Sequence, residues 1–263
     1  MAELSDLQYG LIALSFVWSG FVRSGLGFGG AVLSLPFMLL IHNDPLVYLP
    51  LISVHLLFFS ALSIWLDQRQ LKHSAKAAPS NTTHTSTIDW AYLKKSMAIM
   101  IVPKLVGVFG LITLPANILS GIIFIIVACY ALSYIINKPF SSKNKWLDVF
   151  FLCLGAYVSG TSLIGAPLII VAFVNHVAKE QLRNTLFMLW FILVAIKMAA
   201  FIYAGVDLQL IHQLWLLPCA GLGHWLGLLL HKKLLQAESQ VFFRLVGSAL
   251  LLISLIGLWR MFA

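Results

Sequence analysis

The chain has 263 residues, of which 60% are hydrophobic and only 10% are charged, and its formal net charge is +8. Because apolar runs of about 20 residues are long enough to cross a hydrocarbon core of about 30 Å, this composition excludes an ordinary soluble domain and predicts a polytopic membrane protein. The basic residues stand mainly in short loops beside apolar segments, where they orient a chain in the bilayer, and no basic stripe suited to nucleic acid is present.

The first half of the chain, residues 1–137, begins with an apolar segment at 7–41 that glycines interrupt. Three uninterrupted apolar segments follow, at 46–66, 96–114 and 116–137. The polar connection at 67–95 contains AKAAPSNTTHTST and is predicted to be a flexible loop, because such small polar residues cannot form a core. The N-terminal stretch lacks the basic start of a cleavable signal peptide, so the first segment is expected to belong to the mature fold.

The second half, residues 138–263, repeats this order. Its broken segment lies at 147–174, and the uninterrupted segments lie at 184–204, 209–230 and 245–262. The two broken segments also align without a gap, GFVRSGLGFGG with GAYVSGTSLIG, and the identical pairs are Gly20 with Gly155, Ser24 with Ser159, Gly25 with Gly160 and Gly30 with Gly165. The sequence therefore predicts an internal repeat.

The distribution of Lys and Arg predicts that both broken segments fold back as re-entrant hairpins. With that arrangement most basic residues face the cytoplasm, whereas only Arg260 faces outside. Each half then crosses the membrane three times, so the halves have opposite orientations and both termini lie outside. The predicted fold is an all-α polytopic membrane protein of two inverted repeats, each a glycine-broken re-entrant hairpin followed by three transmembrane helices. Irregular backbone at membrane depth is tolerated where it lines a protein-enclosed cavity, so the hairpin tips are expected to line a site.

Three cations lie deep within apolar segments, Arg23, Lys104 and Lys197. Each costs at least about 2.5 kcal/mol at the centre of a bilayer, and every Asp and Glu falls in a loop or at the end of a segment. A bound anionic ligand is therefore predicted to supply the negative charge that balances these cations. For Lys197, an alternative is that its long side chain reaches the outer interface.

The glycines at the tips indicate how an anion is held. A half-helix that begins at a tip directs unsatisfied N–H groups and the positive end of its dipole into the cavity, and nearby hydroxyls add further donors. Close packing of helices is the alternative role of the glycines. The predicted substrate-binding residues are Arg23, Ser24, Gly25, Gly27, Gly29, Gly30, Lys104, Ser159, Gly160, Thr161, Ser162 and Lys197.

Two histidines, His55 and His224, also lie deep within apolar segments. Either one is a candidate for proton coupling, because histidine titrates near neutral pH, and the alternative is a hydrogen-bonded packing role. The three cysteines are odd in number and lack metal-ligand spacing, so neither a metal site nor a cofactor is expected.

The stretch GFVRSGLGFGGAVLSLPFMLL, its weaker echo GAYVSGTSLIGAPLIIVAF and the overall length resemble the TauE/SafE family of sulfite exporters. The resemblance covers essentially the whole chain, although the second tip has Thr161, Ser162, Leu163 and Ile164 where the family tends to have more glycine. It implies transport of sulfite, organosulfonates or related anions across the bacterial inner membrane. It also implies binding roles for Ser24, Gly25, Gly27, Gly29 and Gly30 of the first tip and for Ser159 and Gly160 of the second.

The predicted function is a secondary transporter that exports small sulfur-containing anions and binds them at the midplane between the two tips. The alternatives are an anion channel, an assembly factor for a membrane complex and an intramembrane enzyme, for which the deep segments offer no paired carboxylates and no HExxH motif. The expected partners are the anion and the lipid bilayer, and association into a homodimer stays open.

Overall fold

The structure is a computed structural model that describes residues 4–26, 30–77, 87–138, 140–142, 144–236 and 240–262. Only the backbone is described for residues 25, 26, 67, 70–77, 230–236, 240–243 and 262. Every regular element in these ranges is an α-helix. The helices are α1 Asp6–Leu26, α2 Gly30–Ile41, α3 Pro45–Ala77, α4 Trp90–Thr113, α5 Ala116–Ile135, α6 Lys145–Ser162, α7 Ala166–His176, α8 Lys179–Tyr203, α9 Leu210–Gln236 and α10 Gln240–Phe262.

Five stretches of the described chain are long and apolar enough to cross a membrane. They are Pro45–Leu66, Trp90–Thr113, Ala116–Ile135, Lys179–Tyr203 and Arg244–Met261. The all-helical, polytopic class predicted from composition is confirmed. The predicted crossing at 209–230 coincides with α9, which is not among the five and contains polar residues such as His212, Gln213 and His224.

The connection between α3 and α4 is shorter than the predicted loop at 67–95. Helix α3 continues through Ala77 and α4 begins at Trp90. The residues DQRQLKHSAKA extend α3 beyond its apolar part because most of them are good helix formers. Residues 78–86, which include the Asn-Thr-Thr stretch, lie outside the described residues.

Each broken segment returns to the end of the bundle at which it starts. In the first, the Gln8 side-chain amide at the start of α1 donates a hydrogen bond to the Ile41 carbonyl at the end of α2, over 3.1 Å. In the second, Asp148 in the first turn of α6 is paired with His176 at the end of α7, over 2.8 Å. Both segments are therefore helical hairpins.

The turn of the second hairpin is made by the three residues between α6 and α7. Leu163 follows the last residue of α6 and adopts a left-handed backbone conformation, with φ of 61°. Pro167 then stands in the first turn of α7, where the lack of an N–H costs nothing because no partner is needed there. The corresponding turn of the first hairpin, residues 27–29, lies outside the described residues.

The most extensive helix contacts join opposite halves of the chain. Helix α1 packs along α9 and α4 packs along α6, while α5 packs against α10 and α3 against α8. The helices of each half can be numbered from one to five, with α1–α5 in the first half and α6–α10 in the second. The first helix of each half then packs on the fourth helix of the other half. The two third helices pack on each other, and so do the two fifth helices. These four most extensive pairings are thus unchanged when the halves are exchanged, whereas the contact of α2 with α10 has no comparable counterpart between α7 and α5.

Glycines make the two crossings between first and fourth helices very close. A Cβ added at Gly20 of α1 would lie 2.2 Å from the Ala220 carbonyl oxygen of α9, and one added at Gly107 of α4 would lie 2.3 Å from the Tyr157 carbonyl oxygen of α6. On the facing helix of each crossing, Gly160 of α6 lies against the backbone of α4, and Gly223 of α9 lies against the backbone of α1. Small residues let helix backbones approach in this way within membranes.

Candidate functional site

Arg23 lies in the last turn of α1, at the tip of the first hairpin, and is 8% exposed. Its Nη1 donates a hydrogen bond to the His55 carbonyl over 3.3 Å, and the guanidinium lies over the Phe59 ring, with Cζ 4.4 Å from the ring centroid. Its Nη2 has no hydrogen-bond partner. The arginine is therefore anchored to α3 on one side while part of its donor fork stays unused.

A small cavity of about 40 Å³ lies between the two hairpin tips, and residues of α3 and α8 contribute to its wall. Its polar lining comes from Arg23, Ser60, Ser159 and the indole of Trp190. The residues that complete its wall are Gly30, Ala31, Val32, Leu56, Leu163, Ala166, Phe187 and Val194. The cavity combines a cation from the first tip with a hydroxyl from the second, inside an otherwise apolar wall.

Lys104 supports the second tip from behind. Its Nζ donates to the Ser159 carbonyl over 2.9 Å and to the Ser159 Oγ over 3.0 Å, and the lysine is completely buried. Because Ser159 Oγ accepts from the ammonium group, its own hydroxyl proton is left to donate elsewhere. The charge of Lys104 thus reaches the cavity through Ser159.

Lys197 of α8 is completely buried, and its Nζ has no hydrogen-bond partner. The ring of Phe201 lies 6.0 Å from this atom, and Lys104 is the charged residue that interacts with it electrostatically. The side chain is enclosed by protein beside a second lysine, which differs from the alternative of reaching the outer interface.

Ser24 of α1 and His224 of α9 form a hydrogen bond through Ser24 Oγ and His224 Nδ1. The His224 ring packs on Phe59, with centroids 4.9 Å apart, and is only partly buried. In the alignment of the two halves Ser24 corresponds to Ser159, so each of these paired serines contacts a basic side chain on the fourth helix of the opposite half.

His55 stands on the other side of Arg23. It is buried, its ring packs edge-on against Phe16 at 4.6 Å between centroids, and neither ring nitrogen has a hydrogen-bond partner. A smaller cavity beside it is lined by Arg23, His55, Ser19 and Phe59 among others. Arg23 therefore borders two cavities, of which only the larger one reaches the second tip.

The other predicted tip residues have a packing role in this conformation. The hydroxyls of Thr161 and Ser162 both donate to the Val158 carbonyl within α6. A Cβ at Gly30 would lie 2.7 Å from the Ser19 carbonyl oxygen, and one at Gly160 would lie 2.6 Å from that of Lys104. Gly25 belongs to the last turn of α1, whereas Gly27 and Gly29 lie outside the described residues.

Within the described ranges, His176 with Asp148 is the only ion pair, and it lies at the base of the second hairpin. No carboxylate there accompanies Arg23, Lys104 or Lys197. Taking a cation out of water costs several kcal/mol unless an opposite charge or hydrogen bonds compensate it. The described part of the cavity region thus has three basic side chains and no carboxylate to balance them.

Three residues of this region were not singled out by the sequence. Ser60 and Trp190 line the main cavity, and the buried amide of Gln213, which makes no hydrogen bond of normal length, is a polar neighbour of His55. Ser60 and Trp190 each interrupt an apolar segment well away from its ends, whereas Gln213 stands in the first turn of α9. A polar or aromatic residue in the middle of an apolar segment is the signal that could have revealed Ser60 and Trp190. A tryptophan that anchors a helix at the membrane interface would instead stand near the end of its segment.

This all-helical bundle, with five described stretches able to span a bilayer, is a polytopic membrane protein. The chain belongs to the family described as "Sulfite exporter TauE/SafE", whose model matches residues 11–258. Membership confirms the resemblance seen in the tip motifs and makes the chain, at the level of the family, a transporter rather than an enzyme. Comparisons with curated proteins and with solved structures found no match.

Proposed function

We propose that this protein is a secondary transporter that exports small sulfur-containing anions, such as sulfite or organosulfonates, and binds them between its two hairpin tips. The observation that carries this proposal is the cavity lined by Arg23 and Ser159, with Lys104 bonded to Ser159 and no described carboxylate nearby. An anionic ligand supplies the negative charge that the protein itself lacks there.

The chemistry of the lining suits a compact oxyanion. The planar guanidinium of Arg23 presents paired donors that match two oxygens of such an anion, and its Nη2 has no protein partner. The Ser159 hydroxyl faces the same cavity and is polarised by the Lys104 ammonium. Charge-assisted donors in an apolar, water-poor wall bind an anion more strongly than they would in water. Lys197 places a second buried amine beside Lys104.

The contact pattern supports an inverted repeat in which the first and second hairpins enter from opposite sides. The base of the first hairpin contacts the end of the bundle that holds Arg260, whose Nη1 donates to the Leu40 carbonyl. The base of the second lies at the opposite end, beside the starts of α4 and α8, where Lys94, Lys138 and Lys179 are exposed. We assign this basic end to the cytoplasm of a bacterial inner membrane and both termini to the outside.

The close glycine crossings indicate which bodies move during transport. A shift of one sequence half against the other would separate α1 from α9 and α4 from α6, which are the closest contacts in the bundle. The moving units are therefore each hairpin together with the fourth helix of the other half. Access to the cavity alternates when these two units rock against each other.

The test is flux of radiolabelled sulfite into proteoliposomes, with unlabelled sulfate, thiosulfate, sulfoacetate and chloride as competitors. We expect saturable flux that a sulfur anion inhibits, and a loss of at least tenfold in Arg23→Gln and in Lys104→Ala, since a hydrogen bond to a charged group contributes about 1.5–3 kcal/mol. Arg69→Gln is the matched control, because Arg69 is exposed, packs over the Trp65 ring and does not line the cavity.

Three outcomes would contradict the proposal. Absence of flux from folded protein would remove the transport role, and equal flux in Arg23→Gln and Arg69→Gln would remove the site. Single-channel currents in planar bilayers, without saturation or trans-stimulation, would establish the anion channel instead.

A further inference from the structure

The two serines that the internal alignment pairs, Ser24 and Ser159, each meet a basic side chain from the fourth helix of the opposite half. Ser159 of α6 accepts from Lys104 of α4, and Ser24 of α1 is bonded to His224 of α9. The two contacts occupy corresponding places in the two halves, but the basic groups differ. Lysine is a donor only, whereas a histidine nitrogen donates or accepts according to its protonation.

The protonation of His224 Nδ1 therefore decides whether the Ser24 hydroxyl is able to donate a hydrogen bond to another group. When Nδ1 of His224 carries no proton, it accepts the hydroxyl proton of Ser24, and Ser24 has no donor left. When Nδ1 is protonated, it donates to Ser24 Oγ, and the hydroxyl proton of Ser24 is released to another acceptor. Protonated His224 and Ser24 then reproduce the arrangement of Lys104 and Ser159.

The surroundings of His224 favour a link between its proton and an anion. Helices α1 and α3 pack against α9. The side chains that face His224 from them are Ser24, Arg23 and the ring of Phe59, and the charge of Arg183 on α8 also reaches it. Both charged neighbours are positive, and no described carboxylate balances them. His224 is only partly buried, so it is not sealed inside the bundle.

We propose that His224 binds one proton together with each anion, so that the protein moves an anion and a proton in the same direction. This inference rests on the function proposed above. A proton binds Nδ1 on one side of the membrane, Ser24 turns its hydroxyl proton toward the anion, and the anion binds beside Arg23. On the other side the anion leaves, the proton leaves Nδ1, and the hydroxyl of Ser24 donates to Nδ1 again. Anion and proton each raise the affinity for the other, as linkage requires.

The test compares sulfite uptake with and without an inward proton gradient, after subtraction of uptake by protein-free liposomes. For the wild type we expect the gradient to drive concentrative uptake, and the initial rate to change by up to about tenfold per pH unit, the limit for one proton. We expect His224→Gln to lose the response to the gradient, and His224→Lys to keep anion binding without any pH response. The control is His42→Gln, at an exposed position outside both cavities, which is expected to respond like the wild type.

The outcomes separate this inference from the proposed function. Wild-type flux that ignores the gradient, or a His224→Gln variant with the wild-type response, would overturn proton coupling at His224 while leaving the transporter in place. Folded His224→Gln and His224→Lys variants that are both inactive would also overturn it, because a constant positive charge would then fail to replace the protonated ring. No anion flux in the wild type would refute the proposed function itself.

Discussion

At the scale of single residues, the hydroxyls of α6 show how one helix turn separates a binding group from a packing group. Ser159 accepts from Lys104 and borders the cavity, whereas Ser162 donates to the Val158 carbonyl of its own helix. A serine that bonds back to the preceding turn has used its proton. Ser159 and Ser162 are both buried, so the contacts rather than the burial distinguish them.

We predict that Ser159→Ala weakens sulfite binding by about 10- to 150-fold, because it removes one charge-assisted donor that contributes about 1.5–3 kcal/mol. The apparent affinity in the flux assay measures this change. Ser162→Ala is the control on the same helix and is expected to change the affinity by less than about threefold. Equal effects of the two substitutions would mean that Ser159 acts only in packing.

A second prediction at this scale concerns the cost of a buried cation. Lys104→Met keeps most of the side-chain volume and removes a charge that has no described counter-ion, so we expect folding to be retained with thermal stability equal to or above the wild type. Transport is expected to be lost. Lys95→Met, at an exposed position of the same helix, is expected to change neither property.

If Lys104→Met lowered the melting temperature in detergent and left flux intact, Lys104 would be a structural residue that ties α4 to α6. Measurement of both quantities on the same preparation distinguishes these roles.

At the scale of helices, the close crossings depend on particular glycines, and a glycine one turn away can have room for a side chain. Gly107 faces the Tyr157 carbonyl of α6, whereas a Cβ at Gly110 of the same helix would find only the Leu114 side chain at 3.8 Å. A backbone atom cannot move aside as the end of a flexible side chain can. The crossing between α4 and α6 therefore has no room for an added methyl group.

We predict that Gly107→Ala destabilises the protein by about 1–3 kcal/mol, the usual range for overpacking, and also slows transport because Lys104 stands one turn away on the same helix. Gly110→Ala is expected to be neutral or slightly stabilising, since alanine is the better helix former. Unfolding in a denaturing detergent, followed by tryptophan fluorescence, measures the difference. Similar stability of the two variants would show that the helices separate more easily than the crossing implies.

At the scale of the whole molecule, the hairpins determine the side of the membrane on which each loop lies. If the first broken segment folds back, Ser5 before it and Asn43 after it share one side, and Lys138 and Lys179 around the second share the other. If the segments crossed instead, the members of each pair would lie on opposite sides. All four positions are exposed, so a cysteine placed there is accessible to a reagent in the adjoining water.

We predict that in a background without Cys129, Cys153 and Cys219, cysteines at positions 5 and 43 react in intact cells with a membrane-impermeant maleimide. Cysteines at positions 138 and 179 are expected to react only after the membrane is permeabilised. Reaction of position 43 from the side opposite to position 5 would exclude the first hairpin.

The sequence predicted much of this protein because membrane insertion depends on local composition. Apolar length predicted the polytopic helical class, and the tip motifs around Gly25 and Gly160 indicated the family that the match to residues 11–258 confirms. The locations of Arg23, Lys104 and Lys197 inside apolar segments also follow from the sequence, and their cost in a bilayer marked them as candidates. Their binding roles, the inverted repeat and the homodimer stay predictions.

The partners of these residues could only come from the tertiary structure. Lys104 meets Ser159 across 55 positions of the chain, and Ser24 meets His224 across 200. Hydropathy and helix propensity are properties of neighbours in sequence, whereas a hydrogen bond between two helices depends on how their surfaces pack. For that reason the sequence by itself determined the class, the family and the buried cations, and the close packing of α1 on α9 and of α4 on α6 decided which hydroxyl each basic group holds.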